Sequence, residues 1–525
     1  MAVSTSRPIR TPLPGVKGVT TAEEQRRYAR GHLTLWYLGA LGFAGLLCAA
    51  LVLLGPSPAA IAWIVLLTVL ATALYNPRYG LYALVGLAML FDGRLARWYP
   101  FTRNFSSAES LLFVHDAVII NPAELLLVTI LVSWLGRMLV TRRLDLYLGP
   151  IFVPALAFIS FVTLGFFYGM SRGGDLTIAL WTFRPILYLP LAILLVSNLI
   201  KSRDHVMHLI WAAMIALAVS GFSGFLFVAI ELQWNIKSVL EIADHSYSIY
   251  LNSMFVLLIA LAYFGGSPRL RWFLLVTLPF VLVAYVGNQR RAGYVALVVA
   301  LLALGLLSQW FNRRVFWSIL PPVALVLAIY TGIFWNSTAP AAAVAQEIRA
   351  IIAPIEDSEE ASSNLYRELE NTNILYTIKQ APLTGVGMGQ KFLIIAPMPD
   401  ISFFIWWEYF THNAILWMWM QAGVGGFVAM LAVIGTAISL GVRTVFLAPR
   451  GPMRAVAFWS TSYMLMHFTF AYVDMSWGSE SMIYLGMHIG LINILARIIA
   501  QPVALPQRRW PWQREPEQPP GLQPV

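Results

Sequence analysis

Apolar runs of about 20 residues, the length that crosses the hydrocarbon core of a bilayer, recur along this chain from residue 32 to residue 499. Inside a bilayer every backbone N–H and C=O must be satisfied by the protein itself, so repeated runs of this length fold as helices. Charge supports the same reading. Only 11% of the 525 residues are charged, against roughly 25% in a soluble domain. That is too little polar surface for a water-facing chain, which excludes a soluble enzyme, a disordered chain and a nucleic-acid binder. The fold class is all-α, a polytopic membrane protein.

Fourteen spans are expected, at about 32–54, 59–75, 79–91, 117–139, 151–168, 179–199, 206–230, 248–264, 272–287, 291–308, 315–335, 413–446, 455–473 and 481–499. The third is short, and the twelfth is long enough to project beyond the bilayer. With the N-terminus inside, 23 of the 35 Lys and Arg residues fall on the cytoplasmic side against six acids, the asymmetry that orients membrane helices. The chain then divides into a cytoplasmic tail (1–31), helices 1 to 11 (32–335), a large extracytoplasmic loop (336–412), helices 12 to 14 (413–500) and a second cytoplasmic tail (501–525). The first tail lacks the apolar core and cleavage site of a signal peptide. Cys48 is the only cysteine, which leaves no intramolecular disulfide and no cysteine-based metal site. No repeat of the kind that builds many secondary transporters is visible.

The large loop has a pattern of its own. Ala341 to Ile352 favours helix and an acidic stretch follows at 356–360. Ser362, Ser363 and Asn364 supply N-caps for a helix from Leu365 to Gln380, stopped by Pro382. Gly385, Gly387 and Gly389 make a flexible turn before an aromatic run from Phe403 to Phe410. No strand precedes these glycines and no helix start follows, so they do not form a nucleotide loop.

Charges at the outer membrane level single out candidate functional residues. Arg290 and Arg291 join two spans on the outside, against the orientation rule, and Arg184 sits near the outer end of its span. Each alone can snorkel to lipid phosphates. Three at one level point to an anion site, because guanidinium forks bind phosphate bidentately and stay charged. Arg367 in the loop helix has a bland alternative, a solvated face paired with Glu370. His412 stands where the loop re-enters the membrane, and an imidazole, with its ordinary pKa of about 6.5, suits a general base near neutrality. Trp406, Trp407 and Tyr409 suit either sugar stacking or interfacial anchoring. Asp92 and Asp116, with no clustered partner, read as loop-solvating acids, and no metal cluster is expected.

These residues resemble the O-antigen ligase and O-antigen polymerase superfamily of bacterial envelope glycosyltransferases, across roughly 180–430. Gln289-Arg290-Arg291-Ala292-Gly293 looks like that family's Ser-Arg-small-small turn, with Arg290 in place of the serine. Arg367 followed by Gln380 to Gly389 looks like its arginine helix and Pro-Leu-x-Gly-x-Gly-x-Gly turn. His412-Asn413-Ala414-Ile415-Leu416 through Gly426 resembles its His-Asn-x-x-Leu…Gly signature, with alanine at 414 where serine is frequent. Arg184 before Pro185 is similar to an upstream family arginine.

The resemblance implies a GT-C-like membrane fold and a metal-independent transfer, without cofactor, from an undecaprenyl-pyrophosphate-linked glycan. The acceptor is a hydroxyl on a glycan or lipid-glycan at the outer face of the bacterial plasma membrane. It also implies pyrophosphate binding by Arg291, Arg367, Arg290 and Arg184, with His412 as base. The alternative from another class is a lipid-linked-glycan flippase or other polysaccharide transporter.

Overall fold

A computed structural model describes residues 58–90, 113–115, 118–119, 122–142, 144–239, 241–337, 342–353, 359–401 and 403–501, besides three positions between 42 and 49. The first expected tail, the second beyond Gln501, the first expected span apart from those three positions, Asp92 and Asp116 lie outside the described residues. The chain divides into two compact units, residues 1–68 and 69–525.

Apart from a two-stranded antiparallel ribbon, β1 (Phe113–His115) with β2 (Val118–Ile119), the described elements are helical. They run α1 (Pro58–Tyr75), α2 (Pro77–Leu90), α3 (Pro122–Thr141), α4 (Phe152–Ser171), α5 (Leu176–Leu199), α6 (Arg203–Leu226), α7 (Tyr247–Phe264), α8 (Pro268–Gly287), α9 (Arg291–Phe311) and α10 (Arg313–Phe334). Two helices of the large loop follow, α11 (Ala343–Ile352) and α12 (Glu359–Gln380). The series closes with α13 (Ala414–Leu447), α14 (Pro452–Ala471) and α15 (Ser479–Ile499). Thirteen of the fourteen expected spans thus fall on helices, and among the described residues ten helices are long and apolar enough to cross a bilayer.

Three expected spans fall short of that measure for different reasons. α2 has only 14 residues. The apolar stretch counted in α1 is the short Ile64–Tyr75. α14 is long enough, but Ser460, Thr461, Ser462 and His467 dilute its hydropathy, and all four are packed inside the bundle. A helix surrounded by protein need not be apolar to lipid. The span expected from 117 begins instead at Pro122, a residue whose fixed φ and missing N–H suit the first helical position.

The bundle is layered by burial. α15 and α7 are its centre, with 83% and 78% of their apolar windows buried, whereas α10, with 0%, presents Val326 and Ile333 outward. The tightest pairings are α5 with α15, α4 with α13, and α6 with α8. Small residues permit them: a Cβ on Gly486 or Gly490 of α15 would lie 2.6–2.7 Å from Ala192 or Val196 of α5. At mid-helix depth His488 stacks on Tyr463 at 4.2 Å and lies against Trp459 and Tyr484, while Tyr484 bonds Ser253 at 2.7 Å. Ring on ring, these polar side chains join α7, α14 and α15.

One end of the bundle gathers basic residues: Lys201 pairs with Asp145, Arg203 donates to the Ile499 carbonyl, and Arg78 donates to the Leu199 carbonyl. The other end gathers the α4–α5 turn, the 231–247 segment, the α8–α9 turn, the 472–478 turn and the large loop. The candidate site lies there.

Candidate functional site

α12 begins at Glu359, earlier than the expected Leu365. The expected caps at 362–364 are therefore interior to the helix. On its inner face Asn373 is fully buried. Its Oδ1 accepts the Ile395 and Ala396 N–H groups and its amide donates to the Ala396 carbonyl, which clasps the outgoing strand of loop against the helix.

The glycine turn is not the flexible segment expected. Gly385, Gly387 and Gly389 all have positive φ and are buried against other backbones. Met388 N–H donates to the Gly165 carbonyl of α4, Asp175 N–H donates to Gly389, and Val386 N–H donates to Met420 of α13. α13 is broken at Gly423 (φ 65°), where Val424 N–H turns to the Pro382 carbonyl. The motif is therefore a clasp that seats the large loop on α4 and α13. A Cβ at Gly387 would lie 2.4 Å from the Gly169 Cα, in a conformation L side chains avoid. Gly387→Ala is expected to cost about 2–4 kcal/mol, read as a melting point in detergent lowered by several degrees. An unchanged melting point would mean that the clasp is loose.

That clasp, with Asn413 capping α13 by accepting the Leu416 N–H at 3.0 Å, fixes the position of His412. The His412 backbone N–H donates to Glu370 Oε2 at 2.7 Å. Its ring Nδ1 lies 3.1 Å from Oε2 and 3.3 Å from Oε1 of the same carboxylate. Glu370 is only 2% exposed, and Tyr366 sets its ring edge against the imidazole at 5.8 Å. Burial, followed by the negative charge of Glu370, pushes the Tyr366 phenol up to about 12.

Next to this pair stands a second one that the sequence reading missed. His245 Nδ1 lies 3.0 Å from Asp474, and its Nε2 lies 3.2 Å from Glu241. Carboxylates only accept, so a ring held on both nitrogens by carboxylates carries two protons. Burial would lower the His245 pKa, but the Asp474 hydrogen bond and the charges of Asp474 and Asp244 raise it on balance. Burial would likewise raise Asp474, and His245, His412 and Arg290 hold it below the usual carboxylate range. Glu241 also receives Arg290.

The predicted arginines therefore divide. Arg290 is engaged by Glu241, and Arg184 by Glu124, with Nε at 2.7 Å. Arg291, the first residue of α9, lies close enough to Arg367 for the two to repel, and Arg367 also feels Asp474, Glu370 and His245. Arg367 is not on a solvated face and is not paired with Glu370, which is turned to His412. Its Nε is buried without a hydrogen-bond partner among the described residues. Burial, its largest influence, pulls its pKa below the ordinary arginine value. A guanidinium cannot shed its charge to escape that cost.

The loop aromatics pack as well as border the site. Trp406 stacks on Trp181 of α5 at 4.8 Å and meets Phe410 edge-on, Trp407 is half-buried, and Lys391 sits over the Tyr409 ring at 5.5 Å. Among the described residues no three His, Cys, Asp or Glu side chains have a metal-holding arrangement.

Glu241, His245, Glu370 and Asp474 thus join Arg291, Arg367 and His412 at one end of the bundle. Signals for them existed: Glu370 follows Arg367 by three residues, one helical turn, and Asp474 is an isolated acid after an apolar run. Residues 274–431, just under a third of the chain, match the family model for O-antigen ligase. Over that segment this multi-pass membrane chain is similar to the O-antigen ligase family. The segment holds Arg290, Arg291, Arg367, Glu370 and His412, and leaves Arg184, His245 and Asp474 outside. No curated protein matches the chain at a significant level.

Proposed function

We propose that this chain is an envelope glycosyltransferase that moves a glycan from a lipid-pyrophosphate carrier, of the undecaprenyl type, to an acceptor hydroxyl on the outer face of the bacterial plasma membrane. The single observation that carries this reading is Arg367: a half-buried arginine whose buried Nε lacks a hydrogen-bond partner among the described residues, beside Arg291 and within the cluster that includes His412. The neighbouring carboxylates are taken, Glu241 by Arg290 and His245, Asp474 by His245, and Glu370 by His412. What such an arginine lacks is an anion, and a pyrophosphate supplies one with the matching fork geometry.

In this reading the acceptor oxygen attacks the anomeric carbon while its proton passes to His412. The bond from that carbon to the pyrophosphate oxygen breaks, and the electron pair stays on the leaving pyrophosphate. Arg367 and Arg291 meet the growing charge, the role a fixed cation plays best where water is excluded. No nucleotide sugar is needed, which suits chemistry outside the cell. Trp406, Trp407 and Tyr409 border the acceptor side, and Arg290 and Arg184, each committed to a carboxylate, contribute less to the donor.

The test is purified protein given a lipid-pyrophosphate glycan and candidate acceptors, with excess chelator in a parallel reaction. We expect transfer with release of the lipid pyrophosphate, unchanged by chelation. Product length separates repeated elongation from single transfer. Donor translocation without any new glycosidic bond would overturn the reading in favour of a transporter, and a chelator loss restored by Mg²⁺ would overturn its metal independence.

A further inference from the structure

We infer that Glu370 is the positioning residue for His412: it fixes the ring so that Nε2 is presented as the base, and it neutralises the imidazolium that forms. The inference rests on the reading of His412 given above and adds to it a residue that the O-antigen ligase match does not single out.

Geometry is the ground for it. Glu370 and His412 are 42 residues apart, yet both oxygens of this buried carboxylate face the histidine, one of them accepting its backbone N–H at 2.7 Å and also lying 3.1 Å from its Nδ1. A carboxylate only accepts, so Nδ1 must carry a proton. In a neutral imidazole the other nitrogen then holds the lone pair, and the tautomer is decided by the partner. Two bonds to one residue, from backbone and ring, remove the rotation that a histidine at a loop end would otherwise have. α12 thereby delivers two groups at i and i+3, Arg367 toward the donor anion and Glu370 toward the base.

The proton balance is simple. The acceptor hydroxyl gives its proton to Nε2 as its oxygen bonds to the anomeric carbon, and the Nδ1 proton stays where it is, hydrogen-bonded to Glu370. The carboxylate takes no proton. It stabilises positive charge on the ring at the moment that charge appears, as the buried aspartate does in the Ser-His-Asp arrangement. The other groups that face the ring are Tyr366, on the same helix as Glu370, and Asp474 on the 472–478 turn.

Glu370→Gln tests this in the full chain. The amide keeps the size, loses the charge, and can turn its NH₂ to Nδ1, which moves the proton to the wrong nitrogen. We expect kcat to fall by roughly 10²–10³-fold, with the donor KM changed by less than about threefold, since the arginines are untouched. The acid limb of the pH–rate profile moves to lower pH, because removal of a neighbouring negative charge disfavours the protonated ring. Glu370→Asp, which keeps the charge at shorter reach, retains at least about tenfold more activity than the glutamine variant. In His412→Ala the further change Glu370→Gln costs nothing more, as expected for groups acting as one unit.

A second measurement needs no change at Glu370. In ¹⁵N-histidine-labelled protein, with the His412 signal identified by its loss in His412→Gln, the neutral ring is expected to be the Nδ1–H tautomer. An Nε2–H tautomer would overturn the inference even if Glu370→Gln failed to fold. So would a glutamine variant that melts normally with normal kcat and an unmoved acid limb, which would leave Glu370 as a loop anchor alone. If His412→Ala itself keeps normal turnover, the base assignment fails first; if His412→Ala is inactive and Glu370→Gln is normal, only the positioning role fails.

Discussion

Arg367→Met abolishes transfer, by roughly 10²–10³-fold or more, in a protein that folds as well as before or better. The first half follows from the cost of removing one preorganised donor to developing negative charge. The second follows from what Arg367 gives up in the resting protein. Its side chain is half-buried, its Nε has no partner among the described residues, and Arg291 repels it. Burial and Arg291 together outweigh the attraction of Asp474 and Glu370, so an apolar side chain of similar length removes a net cost. The melting point should therefore hold or rise while turnover collapses, the opposite of what a structural arginine does. Lysine should rescue poorly, because a point charge at the end of a flexible stem does not reproduce the planar fork. Parallel melting curves and initial rates on Arg367→Met and Arg367→Lys decide it. Near-normal turnover would remove Arg367 from the donor site, and a melting point lowered in step with activity would make it a structural residue.

How far this could be read beforehand depended on the range of the interaction. The spans are local facts, set by runs of apolar residues, and thirteen of the fourteen expected coincide with helices. Two of the three exceptions to the membrane measure, α2 and α14, come from tertiary context: a short helix or one carrying serines is tolerated where neighbours replace lipid. The glycine turn was legible as glycine-rich and misread in kind. Positive φ at Gly387 can mean a mobile turn or a backbone pressed to within contact of Gly169, and only the partner from α4 distinguishes them.

The site was legible by its misplaced charges, and its pairings were not. Arg290 and Arg291 are neighbours in sequence with the same apparent oddity, yet Glu241 engages one while the other sits beside Arg367. Glu370 offered itself as a neighbour for Arg367 on the same helix, and the fold gives it to His412 instead. Which carboxylate meets which cation is decided by five segments arriving at one end of a bundle, and that information is spread along the whole chain.

His412 carries the other large effect, and its two candidate roles separate on two substitutions. If the ring takes the acceptor proton, His412→Ala lowers turnover by roughly 10²–10⁴-fold while donor affinity changes little, because Arg367 and Arg291 remain. His412→Gln then does no better. The glutamine NH₂ can donate to Glu370 as Nδ1–H does, but the amide has no lone pair basic enough to take a proton near neutral pH. If the ring is instead a hydrogen-bond donor to pyrophosphate, the outcome reverses: His412→Ala weakens donor binding, and His412→Gln, whose NH₂ can donate, restores much of both binding and rate. The surroundings favour the first result. Nδ1 is committed to Glu370, which leaves a neutral ring with an acceptor at Nε2, and an acceptor facing a phosphate oxygen repels it. Only a doubly protonated ring could hydrogen-bond the donor, and such a ring cannot take the acceptor's proton. Donor affinity and turnover measured together on both variants, across pH, therefore yield one answer: a glutamine variant that keeps most of the activity ends the general-base assignment.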